Sequence, residues 1–289
     1  MRIFSRARGI QEMTNQINSI ESVVMQHSAR GMNVLREHMS QFYVKDAVEK
    51  LLALPKGTVL LTTGFYVAGH AETDGPAGTA TVATALKKIG YQPVIITDKL
   101  CRGFFEVKQI PVCYVAFDAD QQVFNDILKK YQPVACISIE RCGINSKDEY
   151  ANMRSVSITA HTARIDLLFT RANQEGIYTI GVGDGGNEIG MGNLKHVIED
   201  KLSLVPCVVE TSSLIIATVS NWGAYAMVSY MQRLTGIHVL PSFQEIKQYL
   251  DQIVRLGSVD GVKKENISTV DGFPIATSKE IIDSLHQFA

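Results

Sequence analysis

From Thr58 onward the chain alternates short, unbroken apolar runs with amphipathic stretches, and this rhythm constrains its fold more than any other feature. The runs Thr58–Thr63, Pro93–Thr97, Pro111–Phe117, Pro133–Ile139, Ile177–Val182 and Leu204–Val209 are continuously apolar, as expected for strands buried on both faces. Between them, Pro76–Ile89, Asp120–Lys130 and His161–Asn173 step at helical spacing. This βαβα order predicts a doubly wound, mostly parallel sheet with right-handed crossovers, a Rossmann-like three-layer α/β fold. The whole chain reads as one α/β domain. Residues 1–57 form a helical N-terminal extension, 58–210 the sheet core and 211–289 the C-terminal helices. Phe243–Leu256 and Thr277–Phe288 are amphipathic helices, and Asp260–Pro274 is the linker between them.

Composition narrows the function classes. Twenty-eight Lys and Arg against 29 Asp and Glu give a net charge of −1, which leaves no electrostatic footprint for nucleic acid or an anionic membrane. The five cysteines are odd in number and never spaced as CxxC. That argues against a disulfide framework or zinc ribbon and for a reducing compartment. The expected location is the cytoplasm, or the mitochondrial matrix in a eukaryote. Arg2, Arg6 and Arg8 make the N-terminus mildly basic, yet no apolar run of signal-peptide length follows. Instead Ile10, Met13, Ile17, Ile20 and Val24 step at helical spacing. The 22 residues Thr211–Gln232 carry no acid or base, a length that reaches across a bilayer. Their Ser, Thr, Asn and Gly content and the missing basic flank favour a buried core helix.

In an open α/β sheet, ligands bind outside the carboxyl ends of the strands. There the chain delivers Thr62–Phe65 and Glu72–Pro76, then Asp98, then Glu140-Arg141, then Gly183–Glu188, then Glu210. Singly, Asp98 and Glu210 read as ordinary surface acids. As a set, acids packed together repel unless a cation or shared proton relieves them, so the concentration marks a site. Gly181–Gly186 matches GxGxxG, but Asp184 and Glu188 would oppose a pyrophosphate. The ribose-binding acid expected about 20 residues on falls near Asp200, in a helical stretch. No nucleotide cofactor is expected. The loop instead brings Asp184, Asn187 and Glu188 toward an ammonium group or a hard divalent cation.

At the helix opening on Pro76, the small residues Gly75, Ala77 and Gly78 leave amides open to a carboxylate or phosphate. Glu72 and Asp74 beside them invite a cation, so a zwitterion suits both. Arg141 either forks a substrate carboxylate or pairs with Glu140 or another loop acid, and spacing does not choose between these. Cys142 reads as a packed thiol and His161 as a cap or support.

These blocks resemble a known family. Thr63-Gly64-Phe65, Glu72–Pro76, Ile139-Glu140-Arg141, Ser157–Thr162 and above all Gly183–Gly192 resemble the D-glutamate cyclase-like family, in its C-terminal domain, formerly a domain of unknown function. Val270-Asp271-Gly272 is a late echo of the same pattern, and Cys142 departs from it, standing where relatives have proline. The resemblance implies conversion of D-glutamate to 5-oxo-D-proline with loss of water, and longer relatives that fuse this domain to a hydro-lyase-like one. It implies a small amino acid as the binding partner, without nucleic acid or membrane. Asp184, Asn187 and Glu188 are then the catalytic set, Asn187 acting as a donor. Asp184, Glu188 and Asp74 hold Mn or Mg. Arg141, Glu140, Glu72, Asp74, Gly64, Gly185 and Gly186 bind substrate, with Glu140 orienting Arg141. Two alternatives stay open: a non-catalytic amino-acid-binding module, and a metal-dependent hydrolase of a small lactam or amide. The N-terminal helices either cap the crevice or form the interface of a homo-oligomer.

Overall fold

Residues 19–28 and 30–289 are described by the computed structural model. The chain enters through three short helices, α1 (Ile20–Val24), α2 (Met32–Arg36) and α3 (Tyr43–Ala53). It continues through β1 (Thr58–Thr62), a small ribbon of β2 (Tyr66–Val67) and β3 (His70–Ala71), α4 (Pro76–Ile89), β4 (Gln92–Thr97) and β5 (Val112–Tyr114). Then come α5 (Gln121–Tyr131), β6 (Ala135–Ile139), α6 (Asp166–Gln174), β7 (Tyr178–Gly183), α7 (Lys195–Lys201) and β8 (Ser213–Ile216). Helices α8 (Ser220–Thr235), α9 (Phe243–Arg255) and α10 (Ile275–His286) complete the chain.

The main sheet has six strands in the order β5-β4-β1-β6-β7-β8, every neighbouring pair parallel. Leu60 of β1 lies between Val94 of β4 and Cys136 of β6, and all three are buried. The chain works outward from β1 to β5, then returns to β6 on the other side of β1. The direction of winding therefore reverses between β1 and β6, and a crevice opens at their carboxyl ends. This is the Rossmann-like α/β fold that the βαβα rhythm predicts, with helices flanking the sheet and extending both ends of it.

Several expectations need correction. The helical extension expected over 1–57 falls partly on residues outside the described ones, and from Ser19 onward it is broken into the three short helices. Gly31 makes one break, with φ at +80° and a side of its backbone pressed against Leu202. Leu204–Val209 is not a sheet strand. Its backbone straps down the glycine loop, with Gly190 and Gly192 N–H both donating to Val209 O at 3.0 and 3.2 Å. A Cβ on Gly192 would lie 2.6 Å from Val208 O, so glycine alone lets the two backbones meet. The sixth strand is β8, beyond the stretch assigned to the sheet core, and Glu210 precedes it. Glu210 thus sits at the wrong end of the strand for the crevice, exposed and 4.0 Å from Lys195.

The uncharged run is divided between β8 and α8, and α8 is buried along nearly its whole length. It packs on the sheet, α3, α4 and α10, so over Ser220–Met231 no face is left on which a charge meets water, and the first charge, Arg233, comes in the exposed last turn. No helix among the described residues is long and apolar enough to cross a membrane. The α4–α8 contact is unusually close because Gly78 faces Ala224: a Cβ there would lie 2.6 Å from the alanine methyl. Gly78→Val is expected to force these helices apart at a cost of about 1–3 kcal/mol, read as a lower urea midpoint with an unchanged slope. A midpoint at or above the parent's would contradict this packing.

Candidate active site

At the reversal point β1 runs on into Thr63-Gly64 and β6 into Glu140-Arg141, side by side. Arg141 is wholly buried. Its Nη1 lies 2.7 Å from Asp98 Oδ2 and donates to Gly64 O at 2.7 Å, while Nη2 donates to Ala163 O at 2.9 Å. Gly64 has φ at +109°, and a Cβ there would lie 2.6 Å from Cys101 Sγ, so only glycine lets the strand end wrap the guanidinium. A buried guanidinium needs a counter-charge and acceptors, and Asp98 with two carbonyls supplies them. Arg141 is therefore engaged internally and is oriented by Asp98, not Glu140. This corrects the substrate-binding role expected of it, and it gives Asp98 a structural partner in place of a surface role.

The acids gather on the other side of the crevice. The loop after β7 doubles back on its own strand because Gly181 and Gly190 meet backbone to backbone: a Cβ on either would lie within 2.9 Å of the other's Cα. Gly143 N–H donates to Asn187 O at 3.0 Å and Ile189 N–H to Arg141 O at 2.9 Å, drawing Glu188 beside the β6 exit. Glu140, Asp184 and Glu188 thus form one carboxylate triad, and Asp74, Asp184 and Asp271 form a second; within each, the oxygens lie within 4.8 Å of one another. Asp184 belongs to both. Gly186 holds φ at +110° and donates its N–H to Glu188 Oε2 at 2.8 Å. Gly185 brings Glu188 Oε1 and Asn187 Oδ1 together; a Cβ there would lie 2.8 and 3.0 Å from them. Asp184 Oδ2, Glu188 Oε1 and Asn187 Oδ1 are buried without a partner.

Asn187 donates its Nδ2 to Ala151 O at 2.8 Å. It therefore presents an acceptor to the site where a donor was expected. Glu140 departs from ordinary strand geometry, with φ at +47°, and Ser220 Oγ donates to its Oε2 at 2.6 Å. Asp271 has φ at +54°.

Asp74 has a different task. Its Oδ1 accepts from Gly75 N–H at 2.9 Å and Asn221 N–H at 2.7 Å, and its Oδ2 from Ser220 N–H at 2.9 Å. It caps α8. In return Asn221 Oδ1 accepts from Gly75 and Gly78 N–H at 3.0 and 2.6 Å, capping α4. The two helix N-termini satisfy each other's orphan donors, so the Gly75 and Gly78 amides are closed to an external anion, which corrects the open amides expected at these two positions. Both oxygens accept backbone N–H groups, and Asp74 still stands with Asp184 and Asp271 in the second triad of close-spaced oxygens.

Two residues that the site needs were not singled out from the sequence. Arg30, between α1 and α2, reaches in from the N-terminal extension: Nη1 lies 2.9 Å from Asp184 Oδ1 and Nη2 2.6 Å from Asp271 Oδ2. Its partner Asp184 is 154 positions away, and no local motif marks it. Asp271 sits in the supposed linker, where the Val270-Asp271-Gly272 echo was the available signal. That segment is no linker. Val259 pairs with Glu72, and Asp260 accepts from Val262, Lys263 and Gly272 N–H and from Thr269 Oγ1, folding the loop that presents Asp271. Gly261 lies against Glu72 Oε2, where any side chain would collide. A cleft of about 520 Å³ opens over Arg30, Glu72, Glu140, Asn187 and Asp271. The N-terminal extension thus contributes to the crevice.

Burial raises every acid in this cluster. It carries Asp74 up to about 7, with Asp271 adding and the Asn221 and Ser220 N–H groups opposing. It carries Asp184 up to about 8, against the pull of Arg30 and helped by Asp74 and Glu188. Glu72, Glu140 and Asp271 stand well above the carboxylate range, chiefly through burial and then through neighbouring acids. Glu188 is raised by burial against the Gly186 N–H. For Arg30, burial alone would favour the neutral form, but Asp184, Asp271, Glu140 and Asp74 outweigh it and raise the guanidinium. Burial also pushes the Cys142 thiol up, so it stays protonated and inert.

Removing one partner of the Arg141–Asp98 pair should strand a buried charge. Asp98→Ala is expected to cost about 3–5 kcal/mol of folding stability, and adding Arg141→Met should recover much of that loss in chemical unfolding. An Asp98→Ala protein of parent stability would refute the pairing. The raised acids set a pH dependence. The unfolded chain releases these protons near pH 4, whereas the folded one holds them until about 7 at Asp74 and about 8 at Asp184. Their contribution is complete below pH 4 and is lost as pH rises through 7 to 8. The melting temperature of chelator-treated protein should therefore drop from pH 6 to pH 9, at roughly 2–4 °C per kcal/mol lost. A melting temperature that climbs over this window would show that the acids are not raised.

Comparison with known proteins places this arrangement in a lineage. Among solved structures, the chain is similar to the Bordetella bronchiseptica enzyme WbmH in complex with NAD⁺, with 14% identity over 63% of this chain and 54% of that one and a TM-score of 0.31. It is similar to UDP-glucose 4-epimerase from Brucella ovis in complex with NAD, with 16% identity over 63% and 49% and a TM-score of 0.29. Overlaps this loose carry no argument about ligand or reaction. In sequence it is 30% identical over 222 residues to the Homo sapiens protein named D-glutamate cyclase, mitochondrial. That match takes in 68% of this chain but only 35% of the human protein, so the chain spans about a third of its relative's length. Residues 20–286 match the family described as D-glutamate cyclase-like, C-terminal, and the chain belongs to that family.

Proposed function

We propose that this chain closes D-glutamate to 5-oxo-D-proline with loss of water, acting as a lyase with Mn²⁺ or Mg²⁺ held by Glu140, Asp184 and Glu188. The observation that carries this reading is the buried carboxyl cluster, raised toward and above neutrality, with unpartnered oxygens on Asp184, Glu188 and Asn187. Family membership and the human relative named a D-glutamate cyclase support the substrate. The donor set is all oxygen, close-spaced and buried, which fits a hard divalent cation. Arg30 compensates Asp184 and Asp271, leaving Glu140 and Glu188 as the acids of the Glu140–Asp184–Glu188 triad that no guanidinium pairs among the described residues. When bound, the cation would polarise the γ-carboxyl and spread its charge.

The chain's own groups do the rest. Ring closure joins the α-nitrogen to the γ-carbon, breaks one carbon–oxygen bond and moves two protons from the α-ammonium to the departing oxygen, which leaves as water. Glu72 and Asp271 line the cleft and are raised above ordinary acids by burial and neighbouring acids, and these are the groups that exchange protons with the substrate. Asn187 Oδ1 accepts from the ammonium. Arg30, about a quarter exposed, meets a substrate carboxylate in the role that Arg141 cannot fill. Holding amine and γ-carboxyl in contact is the site's main entropic contribution. With five free cysteines among its described residues, we place the protein in a reducing compartment, the cytoplasm or the mitochondrial matrix.

The test follows D-glutamate, L-glutamate and 5-oxo-D-proline by NMR on metal-stripped protein, with and without Mn²⁺ or Mg²⁺. Interconversion of the D forms above a no-enzyme control is expected. Asp184→Asn and Glu188→Gln should each lower kcat by roughly 10²–10⁴. Full turnover by both variants would overturn the assignment, and binding without conversion would favour an amino-acid-binding module.

A further inference from the structure

The cleft changes character from its floor to its mouth. The floor is acidic, closed by Glu72, Glu140 and Asp271 with Arg30. The mouth is apolar and basic. Met153, Val156 and Val262 line it and are 39%, 56% and 49% exposed, three of the large apolar side chains that the described residues leave to solvent. They are not scattered but share one opening, which is what makes exposed apolar surface informative. Next to them the rings of Tyr66 and His161 stack at 4.6 Å, offering a flat wall. Arg154 and Lys264 also line the mouth, exposed and in no ion pair among the described residues. Free glutamate held at the floor by its ammonium and carboxyls would have no group left to engage these mouth residues. The volume of about 520 Å³ lies within the roughly 300–1,000 Å³ of sites for larger small molecules.

We propose that the same site accepts D-glutamyl dipeptides linked through the γ-carboxyl, whose second residue is apolar and ends in a free carboxylate. It closes the glutamyl part to 5-oxo-D-proline and releases the second amino acid. This rests on the ring-closing reading above and names a wider substrate class for it. The α-nitrogen bonds to the γ-carbonyl carbon and the amide carbon–nitrogen bond breaks. The two protons shed by the α-ammonium end on the departing nitrogen, which leaves as an ammonium, so no water or other co-reactant enters. The floor acids handle the same two protons as in dehydration, and the amide carbonyl is a better electrophile than a free carboxylate. The second residue's side chain lies along Val156 and Met153, and its carboxylate faces Arg154 and Lys264.

The full chain is supplied in parallel with D-glutamate, γ-D-glutamyl-L-phenylalanine and γ-D-glutamyl-glycine, and 5-oxoproline and released amino acid are quantified. Turnover of the phenylalanine dipeptide is expected, with kcat/KM roughly tenfold or more above that of the glycine dipeptide. Val156→Asp and Arg154→Ala, both at exposed positions that the fold tolerates, should lower kcat/KM for the phenylalanine dipeptide roughly tenfold more than for D-glutamate. Turnover of D-glutamate with neither dipeptide cleaved overturns the proposal and leaves the ring-closing reading intact. Equal rates on the two dipeptides overturn the apolar mouth as a subsite. Cleavage of dipeptide without turnover of D-glutamate upholds the proposal and replaces dehydration as the reaction. No turnover of any of the three overturns both.

Discussion

Gathering Glu72, Asp74, Glu140, Asp184, Glu188 and Asp271 out of water in one crevice is an electrostatic burden that the surrounding structure is arranged to bear. Bare carboxylates at this depth would repel one another, so each needs a proton, a cation or directed N–H groups. All three devices are present. Asp74 is ringed by three backbone N–H groups, Asp184 and Asp271 share Arg30, and the rest are driven toward their protonated forms. The left-handed backbone at Glu140 and Asp271 adds about 1–3 kcal/mol of strain at each.

The reversal point of the sheet would ordinarily leave a helix N-terminus facing the ligand. Here that end is closed from within, because Asp74 caps α8 as Asn221 caps α4. The crevice chemistry is thereby moved off the helix amides and onto side chains supplied by the β1, β6 and β7 exits, the loop holding Asp271 and the N-terminal extension. Arg141 and Asp98 stiffen this frame beneath the acids, joining the β1, β4 and β6 exits through one buried charge pair. A rigid frame matters for the proposed ring closure, which depends on holding two ends of one small molecule in contact.

Much of this was legible in the residues. The continuous apolar runs marked five of the six strands, because a strand covered on both faces has no polar side to show. The acids after β1, β6 and β7 were recognised as a set, since a crevice at strand ends follows from topology alone. The residues brought in from a distance were not legible there. Arg30 lies in a short turn with no periodicity, and its partner is set by how the first helices pack. Leu204–Val209 looked like a strand because a strap that bonds to a glycine loop is as apolar as one that bonds to a sheet. The role of Arg141 turned on whether Asp98 or a ligand reaches it first, a matter of distances within the folded chain.

The sequence by itself determined the α/β class, the parallel sheet, the acidic strand ends and the family, because hydrophobic periodicity and a ten-residue glycine-rich block are local properties of the chain. Tertiary structure alone decided which acids are capped, which are paired and which are left open. Asp74, Glu188 and Asp98 are equally acidic in sequence, and only the neighbours that folding brings within hydrogen-bond reach make one a helix cap, one a candidate ligand and one a counter-charge. Electrostatic roles are set by separations of a few ångströms between residues far apart in the chain, and no local pattern encodes those separations.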